Sequence, residues 1–233
     1  MPTSFSILFT ALALLKPTPT AVPQVAAPVA RPQPAAHLLV RVRQPVSVLA
    51  RPGGAPLATL GQTTVFGSAR VLSVVGRSGR WLHVSTTDLP SARNGWLDSS
   101  TPGLTIRSTQ LSIVISLHDR TLELRRGDEV LHTMTVGVGA PASPTPTGRF
   151  AVTDKLPGTS FSPVYGCCVL ALSARQTRLP AGWQGGDRIA IHGTNVPSSI
   201  GAAVSSGCVH AADGDLRYLM ARVPLGTPVT IAA

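Results

Sequence analysis

The 233 residues carry 20 Lys and Arg against 10 Asp and Glu, a net charge of +10, with 43% hydrophobic residues, 13% charged residues and three cysteines. The apolar share suffices for a buried core and the length suits one domain or two small ones, so a wholly disordered chain is excluded. An odd, sparse set of cysteines excludes a disulfide-stapled scaffold, and the lack of any C-x-x-C pair argues against structural zinc.

The charge is unevenly distributed. Residues 1–106 hold 9 basic and 2 acidic groups, whereas residues 107–233 hold 11 and 8. Arginines are spread singly and aromatics are few, unlike the clustered basic, stacking surface that nucleic acid requires; no nucleic-acid partner is expected.

In chain order, Phe5 to Leu15 (FSILFTALALL) is an apolar run too short for a bilayer, which needs about 20 residues, but suited to a signal-peptide core. No Lys or Arg precedes it. The stretch Lys16 to Pro34 holds six prolines among Ala, Val and Thr, a composition typical of tethering linkers. Residues 1–36 therefore read as an export segment and linker, and an exported protein is expected.

From His37 to Ser100 short Val and Leu runs (HLLVRV, VSVLA, ARVLSVV, WLHV, GWLD) alternate with Gly, Pro and Arg-Ser-Gly turns, predicting a small β-barrel over 37–106. The spacing of Trp81-Leu82-His83-Val84 from Gly95-Trp96-Leu97 resembles bacterial Src-homology-3-like wall-associated modules. Trp81 and Trp96 read either as core or as a ligand-binding surface.

The remaining residues, 107–233, open on Leu111, Ile113, Ile115 and Leu117 alternating with polar partners. Turns at His118-Asp119-Arg120 and Arg126-Gly127-Asp128 then predict a β-meander with one buried face. Further strands are predicted at Arg149–Thr153, Cys168–Leu172, Arg188–His192 and Pro228–Ala232. A helix is predicted over Asp213–Val223, with Asp213 as N-cap, Leu216, Leu219, Met220 and Val223 on one face, and Pro224 beyond its end.

Chemistry concentrates in Ile191-His192-Gly193-Thr194-Asn195 and Ser205-Ser206-Gly207-Cys208-Val209-His210, with His192 and Cys208 16 residues apart. A neighbouring imidazole can take a thiol's proton, lowering its pKa from about 8.5. Gly207 lets the backbone turn sharply and bring amides toward a developing oxyanion. A Cys/His pair in a β-domain is also compatible with a purely structural role. His192, Cys208 and His210 make a poor metal set without a carboxylate, so neither a metal nor another cofactor is expected. Adjacent Cys167 and Cys168 should face opposite ways on a strand and read as small core residues, with a vicinal disulfide as the alternative.

H-G-T followed by S-x-G-C-V, with Thr145-Pro146-Thr147-Gly148 upstream and Tyr165-Gly166 between, resembles the catalytic domain of the L,D-transpeptidases of the bacterial cell envelope. The resemblance spans roughly 109–233 and implies a mainly β architecture: the barrel, then an L,D-transpeptidase β-sandwich with one short C-terminal helix. It implies Cys208 as nucleophile and His192 as general base, oriented by the Gly193 carbonyl. It further implies the Ser206, Gly207 and Cys208 amides as oxyanion hole. Tyr165, Thr194, Asn195, Ser205 and His210 would border the substrate.

The implied reaction joins peptidoglycan stem peptides, donor and acceptor, through a cysteine acyl-enzyme, with carbapenem-type compounds as inhibitors. Hydrolysis of the same intermediate, an L,D-carboxypeptidase activity, and a catalytically idle wall-binding protein are the alternatives. Relatives usually carry Arg where this chain has His210, and imidazole offers no permanent bidentate fork to a carboxylate. A basic leader and barrel also suit contact with an anionic cell wall. Wall binding is therefore expected to weaken as salt is added and to map to 37–106; binding indifferent to salt in a sedimentation assay would leave the charge without that role.

Overall fold

The computed structural model describes residues 36–89 and 94–233, together with Met1. The apolar run and the proline-rich stretch lie outside the described residues. The described residues from 36 onward belong to one compact unit.

The Val/Leu runs of the first half form seven strands: β1 (His37–Val42), β2 (Val46–Leu49), β3 (Pro56–Leu60), β4 (Val71–Ser78), β5 (Trp81–Ser85), β6 (Asn94–Asp98) and β7 (Leu104–Thr109). They pair antiparallel in one sheet, ordered β3-β2-β6-β5-β4-β1-β7. Since β7 pairs Thr109 with His37, this sheet continues past residue 106. Period-2 alternation decides what enters its core: Leu82, Val84 and Leu97 are buried, and the intervening residues point outward. Trp81 and Trp96 accordingly lie half-buried on the outer face and not in the core. Trp96 stacks on His83 at 4.5 Å, and Arg80 sits 5.4 Å from the Trp81 ring centre.

The second half contributes β8 (Leu111–Ser116), β9 (Thr121–Arg126), β10 (Glu129–Thr135), β11 (Val138–Gly139), β12 (Gly148–Pro157), β13 (Cys168–Arg175), β14 (Arg188–His192), β15 (Ala203–Ser205), β16 (Val209–His210), helix α1 (Asp213–Arg222) and β17 (Pro228–Ala232). Eight of these strands form a sheet ordered β10-β9-β8-β17-β12-β13-β14-β16, while β11 and β15 pair separately. The predicted meander is its β8–β10 edge. The fold is mainly β, with one α-helix among the described residues, as the alternation and the helical spacing of Leu216, Leu219 and Met220 predict.

Helix α1 packs Leu216 and Leu219 into the core formed by Ile113, Ile115, Leu170 and Ile191. Its N-cap is Ala212 and makes no side-chain cap bond. Asp213, expected as the cap, begins the helix and instead accepts the Cys167 amide at 3.0 Å. Cys167 and Cys168 are joined in a vicinal disulfide, so the alternative, and not two separate core thiols, is what the chain adopts.

A polar knot ties the two sheets together. Asp154 on β12 has no exposed side-chain surface, and its Oδ2 faces the Arg188 guanidinium at 3.7 Å. Its other oxygen accepts from Thr64, in the β3–β4 connection. Arg188 donates to Thr87 Oγ1 at 3.0 Å and to Thr153 Oγ1 at 3.1 Å. Arg175 Nη2 donates to the Thr87 carbonyl at 2.9 Å. Burial pulls the Arg188 pKa down while Asp154 beside it pulls it back up. Removing one partner of such a buried pair strands the other charge, so Asp154→Ala is expected to cost about 3–5 kcal/mol in urea unfolding. A loss under about 1 kcal/mol would show that the pair does not hold the sheets together.

Candidate active site

Strand β14 ends on His192 and runs parallel to β16, pairing Ile191 with Val209 and His192 with His210. That register places Cys208, one residue before β16, on the flank of the strand carrying His192. Cys208 and His192 line one groove of about 810 Å³, together with Tyr165, Thr194, Asn195, Ser205, Ser206 and His210. The sequence-predicted side chains therefore converge on a single groove. Of the two glycines expected at the site, Gly193 adjoins His192 and Gly207 forms the turn before Cys208.

His192 is 5% exposed, and its Nδ1 lies 2.5 Å from the Gly193 carbonyl. A carbonyl can only accept, so Nδ1 carries the proton and Nε2 keeps its lone pair. The ring is flanked by Tyr165 and His210, each with ring centres 4.8 Å from it. Burial, opposed by the Gly193 hydrogen bond and assisted by His210, lowers the His192 pKa to about 4. Burial also raises the Cys208 pKa above its ordinary value, as it does for Tyr165, where the Cys208 charge adds to the effect.

The expected lowering of the thiol pKa is thus overturned. Desolvation dominates, and an imidazole this reluctant to charge provides no cation to offset it. Both shifts favour the uncharged forms, thiol and imidazole, over thiolate and imidazolium.

Gly207 has φ +116°, and a Cβ there would lie 2.1 Å from Gln176 Nε2, so both backbone conformation and space demand glycine. Its amide donates to Ser205 Oγ at 3.1 Å, engaged within the turn and not pointed at an oxyanion. Ser205 Oγ in turn donates to the Cys208 carbonyl at 2.5 Å. The hydroxyl expected to border substrate therefore shapes the turn that carries Cys208. Gln176, which sequence reasoning missed, donates from Nε2 to the carbonyls of Pro144 and Ser206, each at 3.0 Å. The T-P-T-G segment is held alongside: Thr145 Oγ1 accepts the Gly139 amide at 2.8 Å.

Gly193 and Gly166 meet backbone to backbone. A Cβ on Gly193 would fall 2.8 Å from Gly166 Cα and 2.9 Å from the Tyr165 carbonyl. Thr194 Oγ1 accepts from Val196 N at 3.0 Å and Ser199 Oγ at 3.3 Å, and His210 Nδ1 lies 2.9 Å from the same serine hydroxyl. Phe66, Phe161, Trp183 and Arg188 also line the groove. None of these four carried a sequence signal for the site, although Phe161 and Arg188 lie within four residues of Tyr165 and His192. Among the described residues no cluster of three His, Cys, Asp or Glu could hold a metal ion.

A family profile of the L,D-transpeptidase catalytic domain, YkuD, matches residues 110–231. The chain belongs to the L,D-transpeptidase catalytic-domain family. A candidate L,D-transpeptidase of Bacillus licheniformis, YkuD, is 37% identical over 119 residues, covering 51% of this chain and 64% of that protein. Its Bacillus subtilis counterpart is 36% identical over 121 residues, with the same coverage of each chain. The match thus leaves about a third of each Bacillus protein uncovered. A solved L,D-transpeptidase of Mycobacterium smegmatis aligns over 66% of this chain and 90% of its own at 20% identity, with a TM-score of 0.43. In this L,D-transpeptidase family member, the strand–turn geometry centres on Cys208 and His192.

The pKa directions set a test. Alkylation of Cys208 by iodoacetamide is expected to accelerate with pH and to be still rising at about pH 9, since the reactive thiolate forms only above the raised pKa. A plateau below pH 7 would reveal a preformed ion pair and overturn the neutral-pair assignment.

Proposed function

We propose that this protein is an L,D-transpeptidase that forms peptidoglycan cross-links through an acyl-enzyme on Cys208. The observation carrying this reading is that Cys208 and a His192 ring with its Nε2 lone pair free of the Gly193 bond line one groove.

In this reading the Cys208 sulfur attacks the carbonyl carbon of the amide that follows the third residue of a donor stem. As the S–C bond forms, the thiol proton passes to His192 Nε2. The tetrahedral oxyanion is received by the amides of Ser206 and Cys208. Collapse breaks the C–N bond, and His192 returns the proton to the leaving D-alanine amine. A side-chain amine of the acceptor stem then attacks the thioester carbonyl, gives its proton to His192 and displaces the sulfur, which is reprotonated.

A neutral imidazole suits this sequence, because a base that is already charged cannot accept the first proton. His210 stands where relatives usually carry arginine, and burial lowers its pKa below the ordinary 6.5. Any cationic hold on a substrate carboxylate is therefore confined to acidic pH. Hydrolysis of the same thioester, giving an L,D-carboxypeptidase, differs only in the acceptor. Export to the cell wall, with an amino-terminal wall-contacting module over 37–106 preceding a catalytic module, completes the proposal; the basic first half supports it.

Incubation with a carbapenem is expected to add one inhibitor mass to the wild-type protein and none to Cys208→Ala, read by intact mass spectrometry. His192→Gln is expected to slow acylation by about 10²–10⁴-fold. An equal adduct on Cys208→Ala would defeat the mechanism. Muropeptide analysis then separates cross-linked dimers from tripeptide products.

A further inference from the structure

The groove and a second cavity of about 600 Å³ share Phe66, Gly186, Asp187 and Arg188 in their walls. Phe66 is unlike the other groove residues in origin: it comes from the β3–β4 connection of the first sheet, whereas the rest lie at Leu156 or beyond. Its ring meets Phe161 edge to face at 6.1 Å, and the Arg188 guanidinium lies 5.7 Å from its centre.

The ring is firmly placed. Thr64 and Ser68 close the turn by a 2.9 Å backbone bond, Gly67 N donates to the Thr64 carbonyl at 3.1 Å, and Phe66 N donates to Thr64 Oγ1 at 3.3 Å. The same threonine hydroxyl donates to the buried Asp154. Arg70, itself paired with Asp88, holds the carbonyls of Gly61 and Thr63 at 2.8 and 2.6 Å. Yet Phe66 remains 40% exposed, facing Phe161 at 51% and near Trp183 at 42%. An anchored turn that presents an aromatic ring to a groove, beside other open aromatics, is the form of a preorganised apolar contact for a ligand.

We propose that Phe66 is a specificity-determining residue of the groove, a wall supplied by the first sheet, against which the saccharide end of a peptidoglycan donor, distant from the reacting carbonyl, packs. The proposal rests on reading the groove as the acyl-transfer site. It assigns the first sheet a share in substrate selection: donors long enough to reach Phe66 gain a contact that shorter ones lack. An aromatic contact of this kind changes affinity by about tenfold.

Two arms test it. In a Cys208→Ala background, calorimetric titration with a disaccharide-tetrapeptide is expected to show about tenfold weaker binding for Phe66→Ala and near-normal binding for Phe66→Trp, while Ile106→Ala, on exposed β7 outside both cavities, binds as the parent. In the reactive protein, Phe66→Ala is expected to raise KM about tenfold for the disaccharide-tetrapeptide, with kcat reduced less than threefold and a smaller KM change for a sugar-free tetrapeptide. Unchanged affinity in Phe66→Ala, or equal KM shifts for the long and short donors, would overturn the proposal. A parent that binds the long donor but never turns it over would defeat the acyl-transfer reading and leave the binding arm to decide Phe66. A parent that binds neither donor would overturn both.

Discussion

The carboxylate of Asp154 is the constraint from which the arrangement around the groove follows. A charge with no solvent contact is tolerated only where a counter-charge and a hydrogen-bond donor meet it, and here those two partners come from separate stretches of chain. Arg188 reaches it from β14, across the intervening β13, and Thr64 reaches it from the first sheet. Thr87 does not touch the carboxylate but holds Arg188 and Arg175 from that same sheet. Because Arg188 is the first residue of β14 and His192 the last, fixing the guanidinium fixes one end of the strand that carries the imidazole. Pairing with β16 fixes the other.

Burial then sets the electrostatics. His192 is oriented by a backbone carbonyl, a dipole, where a carboxylate would have stabilised the imidazolium by a full charge. The carbonyl raises its pKa too little to offset desolvation, so it settles near 4. Cys208, desolvated in the same groove, keeps its proton. In the mechanism proposed above, a site built this way would hold both reactants of the proton transfer uncharged and develop charge only as the sulfur attacks. Orientation of the imidazole and placement of amides matter more here than a standing ion pair.

Much of this was legible in the sequence, and the failures have a common physical origin. Strands β14 and β17 begin and end at the predicted residues, since short apolar runs bounded by Gly, Pro and turn residues leave little freedom in where a strand starts and stops. That His192 and Cys208 would meet in one groove was legible because the two motifs were read together and not singly. Trp81 and Trp96 were ambiguous because alternation names two faces without saying which is inward; Leu82, Val84 and Leu97 decide that. Asp213 looked like a cap because local spacing permits it, but a donor from residue 167 won its carboxylate. Gln176, Phe66 and Arg188 act on partners at least 20 residues away along the chain, and no local pattern marks such roles.

The two glycine motifs show how distant signals combine. H-G and Y-G stand apart in the sequence as two motifs, yet Gly193 and Gly166 are one packing unit whose backbones approach too closely for a Cβ on either. A side chain at Gly166 would also meet Asp213 Oδ1 at 2.5 Å, as would one at Gly193. The carboxylate that left its expected cap position therefore fills the space beside both glycines while binding the Cys167 amide. Through that contact the start of α1, the Tyr165 turn and the end of β14 share one set of positions. The direction of the Gly193 carbonyl, and with it the tautomer of His192, is set by packing that reaches across 47 residues of sequence from Gly166 to Asp213.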